Sequence, residues 1–334
     1  MNSSSLQLVN KQNTGMRFRA LALYIAILLS LCNIASAQIT GVSCPESAQY
    51  FAKDSINVVT FGASTVEGVG GLDFQVGLTA NFLKCYPSKV INVQKYGVGG
   101  ETTGQGLLRI DNAIANKTGF IVILMGANDA VEIALDKQRI EQTEANMRLL
   151  ISKSLDQKLV PIICTIQNFD DRKTPLYKKV NTQVVLINNL YKRLAKEYGI
   201  YLADINAVIR RDFSLYQDLV HPNARGNRLI SYVLFDTINK IIAERFLQFT
   251  VSQNYPNPVK EMTAIDIVMP YADKVDFKIY NIQGKVVQTV LHEYLNTGKH
   301  TIKLNLNYLS PGLYIYKISS INGLSAAKKM VVIH

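Results

Sequence analysis

From about residue 38 to 247 the chain alternates short apolar runs with segments of helical spacing, and this alternation restricts its fold more than any other feature. The apolar runs cover 56–61, 90–93, 119–125, 160–166 and 201–204. The run 119–125 is almost wholly apolar, as a strand covered on both faces should be. Helical spacing fills the gaps, over 76–83, 140–153, 180–197 and 227–246. In the third of these, Val184, Leu186, Ile187, Leu190 and Leu194 fall on or near one face. Repeated strand–helix units predict a parallel sheet with right-handed crossovers and helices on both sides. In such a sheet ligands sit beyond the carboxyl ends of the strands.

The pattern changes after 247. Helical spacing gives way to alternating strands over 264–269, 275–280, 285–290, 301–306, 313–319 and 328–333. Gln283-Gly284, Thr297-Gly298, Ser310-Pro311-Gly312 and Asn322-Gly323 supply the turns. This predicts a small antiparallel sandwich over 248–334. Residues 1–37 read as a secretory signal peptide, with Met16 a possible true start. Met16-Arg17-Phe18-Arg19 is its charged beginning, 21–31 its apolar stretch, and Ala35-Ser36-Ala37 its cleavage site before Gln38. The apolar stretch falls short of the ~20 residues a membrane span requires.

Export permits a disulfide. Cleavage would remove Cys32, and Cys164 lies within an apolar strand, which leaves Cys44 and Cys85 as the pair to consider. The sequence alone does not decide their pairing. No Cys-x-x-Cys or clustered His points to zinc. The net charge of +11 is spread along the chain, without a basic block interleaved with aromatics, so nucleic acid is not an expected partner. The basic balance would instead suit an anionic surface or substrate.

A serine becomes a useful nucleophile only with a base, a group that orients the base, and donors for the developing oxyanion. Ser64 follows the first strand, where Gly62 permits a sharp turn. Alone it reads more readily as the cap of a helix. A glycine-rich stretch, Gly97-Val98-Gly99-Gly100, follows the second strand and would let backbone N–H groups approach a ligand. It lacks the spacing and the Lys of a phosphate-binding loop. Asn128 follows the third strand, as an amide donor or as a helix cap. His221 stands three residues after Asp218, just before the last helix, and it is the one His of the α/β region.

Taken in order, Ser64, Gly100, Asn128 and His221 resemble the four blocks of the SGNH/GDSL hydrolases, over about 50–245. The detail is greatest in Gly100-Glu-Thr-Thr-Gly-Gln-Gly-Leu-Leu-Arg-Ile110, in Leu124-Met-Gly-Ala-Asn-Asp129 and in Gln142-Thr-Glu-Ala-Asn146. These stretches are similar to the arylesterase, thioesterase and lysophospholipase branch. The resemblance implies a flavodoxin-like three-layer α/β/α domain. It makes Ser64 the nucleophile, His221 the base and Asp218 its orienting acid. The N–H groups of Ser64 and Gly100 and the Asn128 amide would form the oxyanion hole, with no metal or organic cofactor. Two positions depart from the family pattern: Ala63 stands where an Asp is usual, and Lys95 where an Asn is frequent. An α/β-hydrolase elbow would require a glycine at position 66, which is Val.

A second resemblance covers about 248–334. Val251-Ser-Gln-Asn-Tyr-Pro-Asn-Pro258, Val275-Asp-Phe-Lys-Ile-Tyr-Asn-Ile-Gln-Gly284, Leu309-Ser-Pro-Gly-Leu-Tyr-Ile-Tyr316 and the closing Lys328-Lys-Met-Val-Val-Ile333 are similar to a type A sorting domain of the type IX secretion system. It implies an Ig-like sandwich, passage through the periplasm and across the outer membrane, and the secretion machinery with its sortase as partners. The product would be secreted or held at the cell surface, touching membrane only transiently or through attachment. The expected activity is hydrolysis of carboxylic esters, short-chain acyl esters or lysophospholipids, with removal of O-acetyl groups from polysaccharide as the alternative. A binding protein that kept the fold without the chemistry would show Ser64 and His221 apart by a whole side chain.

Overall fold

The computed structural model describes residues 42–71 and 73–333. The signal-peptide segment and Cys32 lie outside the described residues. The described residues from Cys44 onward form one compact unit.

Five parallel strands make the central sheet: β1 (Ser55–Gly62), β2 (Val90–Gly97), β3 (Phe120–Leu124), β4 (Val160–Cys164) and β5 (Tyr201–Ala203). Their order is β2-β1-β3-β4-β5, the flavodoxin-like arrangement whose direction of winding reverses between β1 and β3. Every residue of β3 and β4 is buried, which is why these strands read as unbroken apolar runs. Ile121, Val122 and Ile123 are fully enclosed, each side chain contributing about 1.5–3 kcal/mol of hydrophobic stabilisation. The edge strand β2 is more open, and its Lys95 pairs at 2.8 Å with Asp73.

The helices Phe74–Cys85, Ile140–Asp156, Pro175–Tyr198 and Ala224–Arg245 cover the sheet. Each predicted helix is present and longer than its apolar signal. Helix Pro175–Tyr198 starts on a proline, with φ preset for a first turn, and stops at Gly199 with φ 61°. Cys44 and Cys85 form a disulfide, tying the segment before β1 to the end of helix Phe74–Cys85. Cys164 is a free, buried thiol.

The registers align three strand ends. Gly62 of β1 stands beside Gly97 of β2 and Leu124 of β3. The loops that follow all three therefore emerge together at the winding reversal.

The C-terminal region forms two antiparallel sheets. One has the order β10-β7-β6, from Gly298–Asn305, Met262–Met269 and Thr250–Val251; the other has β12-β11-β8-β9, from Ser325–Val332, Gly312–Ser320, Asp273–Tyr280 and Val286–Leu295. Alternate residues point inward, among them Val275, Phe277 and Ile279 of β8 and Tyr314, Tyr316 and Ile318 of β11. The inward Tyr316 hydroxyl is satisfied on both sides, donating to Ser252 O at 2.7 Å and accepting from Asn254 N at 3.0 Å. The two-residue β6 is too short to show alternation. The chain entering this region is paired rather than loose: Ala52 N donates to Phe246 O, and Gln248 N to Tyr50 O. Among the described residues no helix is long and apolar enough to cross a membrane.

Candidate active site

Ser64 opens a single helical turn, Ser64–Glu67, immediately beyond β1. A β-carbon on Gly62 would lie 2.3 Å from the Leu124 carbonyl and 2.4 Å from Val66 Cγ2. Only glycine allows β1 to run this close to β3 and then turn. The turn is closed by Val66 N and Glu67 N donating to Ala63 O, and Val66 is fully buried beneath it. Ala63 is itself buried, so the turn is held by packing and backbone bonds where the family pattern usually has an acid.

Ser64 does not cap a helix with its side chain. Its Oγ lies 2.9 Å from His221 Nε2, and His221 Nδ1 lies 2.7 Å from Asp218 Oδ2. The other Asp218 oxygen accepts the N–H groups of Val220 and His221, both at 2.7 Å. The carboxylate is thus clamped by its own loop. Burial pushes the Asp218 carboxyl up, but the bonds from the His221 N–H, its ring and the Val220 N–H outweigh that and hold it below its ordinary value. Asn223 fixes the next step of the chain: it caps helix Ala224–Arg245 by accepting from Arg225 N and Gly226 N, and its amide donates to Ser214 O and Tyr216 O.

On the opposite side, Gly100 has φ +79° and is exposed, with no neighbouring atom within 4 Å of where its β-carbon would stand. Its backbone is open to a ligand. Asn128 stands in the first turn of helix Ala127–Ala134, whose N-cap is Gly126 rather than Asn128. Its Nδ2 donates to Glu101 O at 2.8 Å. A primary amide carries two N–H donors, so this bond orients the group and leaves a second donor for an incoming oxygen.

Two residues quoted in the sequence motifs without a role hold these loops together. Asp129 is fully buried and accepts from Thr103 N, Thr103 Oγ1, Thr143 Oγ1 and Gln138 Nε2, joining the glycine-rich loop to the Asn128 helix. Arg109 donates to Gly62 O at 2.8 Å, Tyr96 O at 3.1 Å and Glu101 at 2.6 Å, and stacks over Phe61 with 4.3 Å to the ring centre. It ties the ends of β1 and β2 to the loop between them and Asn128. The adjacency of Asn128 and Asp129 is a visible signal; two of the partners of Arg109, the remote Gly62 and Tyr96 carbonyls, leave none.

The sequence reads 167–179 as part of one wall of the site, with Phe169 and Tyr177 as apolar contacts there or as core or surface residues. Residues 167–171 are buried, and of these alternatives Phe169 takes the core, packing edge-on against Tyr177 at 5.0 Å. Asn181 clasps both the N–H and the carbonyl of Phe169, and Asn188 does the same for Ile166. Asp170 N then donates to Leu219 O at 2.8 Å. The segment props up the Asp218–His221 loop from behind. Among the described residues no group of His, Cys, Asp or Glu is arranged to hold a metal ion.

A cavity of about 470 Å³ adjoins Gly100 and Asn128, completed by Thr102, Gln105, Val131, Glu132 and Gln138. The assembled groups offer a hydroxyl against an imidazole, a carboxylate behind it, and amide donors across a polar recess. That set can carry acyl transfer from an ester to a serine and then to water.

The model of the GDSL-like lipase/acylhydrolase family matches residues 60–229, and that of a secretion system C-terminal sorting domain matches 253–333. Among curated proteins no sequence matches the chain. Among solved structures, the acetylxylan esterase Axe2 from Geobacillus stearothermophilus is similar at 20% identity with a TM-score of 0.46, covering 56% of this chain and 96% of its own. A member of the lipolytic protein G-D-S-L family from Veillonella parvula is similar at 20% identity with a TM-score of 0.44, covering 56% of this chain and all of its own.

Proposed function

Because the chain belongs to the GDSL-like lipase/acylhydrolase family, and is a carboxylic-ester hydrolase exported by the type IX secretion system, we propose that it removes small acyl groups from polyhydroxylated alcohols outside the cell, with acetylated polysaccharide as the substrate class. In this reading Ser64 attacks the acyl carbonyl, His221 takes its proton and returns it to the leaving alcohol, and Asp218 supports the imidazolium. The N–H groups of Ser64 and Gly100 and the free Asn128 donor stabilise the oxyanion. Water then resolves the acyl-serine.

The observation that carries the substrate class is the lining of the recess beside Asn128. Of its seven residues only Val131 is apolar. A long acyl chain entering it would meet hydroxyl, amide and carboxylate groups, and would gain little of the ~0.8 kcal/mol per buried methylene that makes lipid binding favourable. An acetyl group needs no such surface, and sugar hydroxyls find donors and acceptors there. Of the two expectations from sequence, the alternative, removal of O-acetyl groups from polysaccharide, is therefore favoured over hydrolysis of short-chain acyl esters or lysophospholipids.

We also propose that the secretion system's sortase removes residues beyond about 247, leaving the catalytic region free or attached at the cell surface.

The test is product release by the full chain from acetylated xylan, 4-nitrophenyl acetate, 4-nitrophenyl palmitate and lysophosphatidylcholine. Acetate release from xylan is expected, with kcat/KM for the acetyl ester at least about 10²-fold above that for palmitate, because the recess beside Asn128 offers a long chain little apolar lining. Turnover of lysophosphatidylcholine exceeding that of both acetyl esters would overturn the substrate class.

A further inference from the structure

The chain as a whole is basic, with a net charge of +11, which taken alone favours anionic substrates. The surroundings of Ser64 carry the opposite charge. Glu67 ends the turn that Ser64 begins. One of its carboxylate oxygens lies 2.6 Å from the point a β-carbon on Gly99 would occupy, and Ser64 Cβ lies 3.9 Å from that same point. Its backbone has little room to shift: a β-carbon on Gly97 would lie 2.1 Å from Glu67 N and 2.6 Å from Glu67 Cα. The absence of side chains at Gly97 and Gly99 thus lets β2 and the glycine-rich loop close onto Glu67 and leaves its carboxylate beside the serine.

The other acids near the site have partners. Glu101 is bonded to Arg109, Asp218 to His221, and Glu132 faces Lys137 at 3.9 Å. Among the described residues, Glu67 has neither a cation within ion-pair distance nor a hydrogen-bond donor on its side chain, and it is exposed. We infer that Glu67 is a specificity-determining residue whose unpaired carboxylate beside Ser64 selects esters with a neutral or cationic alcohol and rejects those with an anionic one. The inference rests on the ester-hydrolase reading of this site and narrows its substrate class to neutral or amino-bearing glycans, against uronate- or phosphate-bearing esters.

Between the effective dielectric of about 20 near a protein surface and the ~80 of water, a unit charge about 7 Å from another alters kcat/KM by about fifty-fold to three-fold, and for an exposed carboxylate the effect lies toward the lower end, at about five-fold. The effect is screened by salt, since the Debye length falls from ~20–30 Å at very low salt to ~3 Å at 1 M.

The experiment uses the full chain and three acetate esters of matched shape: phenyl acetate, 3-acetoxybenzoate and the acetate of 3-hydroxyphenyltrimethylammonium. The readout is the ratio of kcat/KM values within each protein, not the absolute rate. For the wild type the expected order is cationic, then neutral, then anionic, with about five-fold between the last two at low salt and the gap closing at 0.5 M NaCl (about one Debye length of 4 Å). Glu67→Gln, which keeps the side-chain shape, is expected to bring the neutral and anionic esters within about two-fold, and Glu67→Lys to reverse their order. A Glu67→Gln ratio equal to that of the wild type would overturn the inference. Absence of turnover of the neutral ester by the wild type would instead contradict the esterase reading, and the inference would fall with it.

Discussion

Replacing Ser64 with alanine is expected to lower kcat/KM on 4-nitrophenyl acetate by about 10⁴-fold or more. The Oγ lies 2.9 Å from His221 Nε2 at the carboxyl end of β1, where the loops that follow β2 and β3 and carry Gly100 and Asn128 also emerge. In the proposed mechanism no acyl-serine can then form, and what survives is attack by water on an ester held among the proposed oxyanion donors. The substitution removes one partly exposed hydroxyl and leaves Val66 and the Ala63 carbonyl bonds in place, so the melting temperature should hardly move. His221→Ala should cost about as much, and the double variant should be no worse than either single one, because the two groups act as a unit. Initial rates of the three variants, together with thermal unfolding, check this. A Ser64→Ala protein within about ten-fold of wild type would place the chemistry elsewhere.

The second large effect is expected at Asp218. Asp218→Asn should reduce kcat by about 10³–10⁴-fold with the loop still folded. Three N–H groups now share two carboxylate oxygens: Val220 N and His221 N at Oδ1, and the His221 ring at Oδ2. An asparagine has one acceptor oxygen. If that oxygen stays with the two backbone groups, the new NH₂ faces the imidazole and favours the tautomer whose proton sits on Nε2, toward Ser64, so the ring is no longer a base. If the amide turns over, the backbone pair loses its acceptor and the loop loosens. The pH dependence follows from the depressed pKa of Asp218. A carboxyl whose folded pKa is lowered contributes its stabilisation above the unfolded value of about 4, and loses it as pH falls through the folded value. The wild type should therefore keep its Asp218–His221 contact down to below about pH 4. Asp218→Asn should show the rate loss at every pH without that acid-side component of stability. A kcat within about ten-fold of wild type would contradict the orienting role.

How far these features could be read without coordinates depends on whether their cause is local. The burial of β3 is written into 120–124, where no polar residue interrupts the run, and the sandwich strands declare themselves by alternation between glycine turns. Ser64, Asn128 and His221 could be found because each sits next to a strand end or helix start that the pattern already marks. The polar segment 167–171 reads as surface yet is buried, since Asn181, 12 residues on, satisfies the Phe169 backbone and the Leu219 carbonyl accepts the Asp170 N–H. Arg109 is obscure for the same reason. The contrast at Glu67 is instructive: overall composition points to anionic ligands, while the local field at Ser64 depends on which acids are paired, and pairing is a property of the fold.

Formation of a covalent acyl intermediate on Ser64 is tested by reaction of the full chain with a fluorophosphonate, followed by intact-mass and peptide-level mass spectrometry. A single adduct per chain is expected, on Ser64, lost in Ser64→Ala and slowed strongly in His221→Ala. A folded, unlabelled wild type, or an adduct on any other residue, would contradict it.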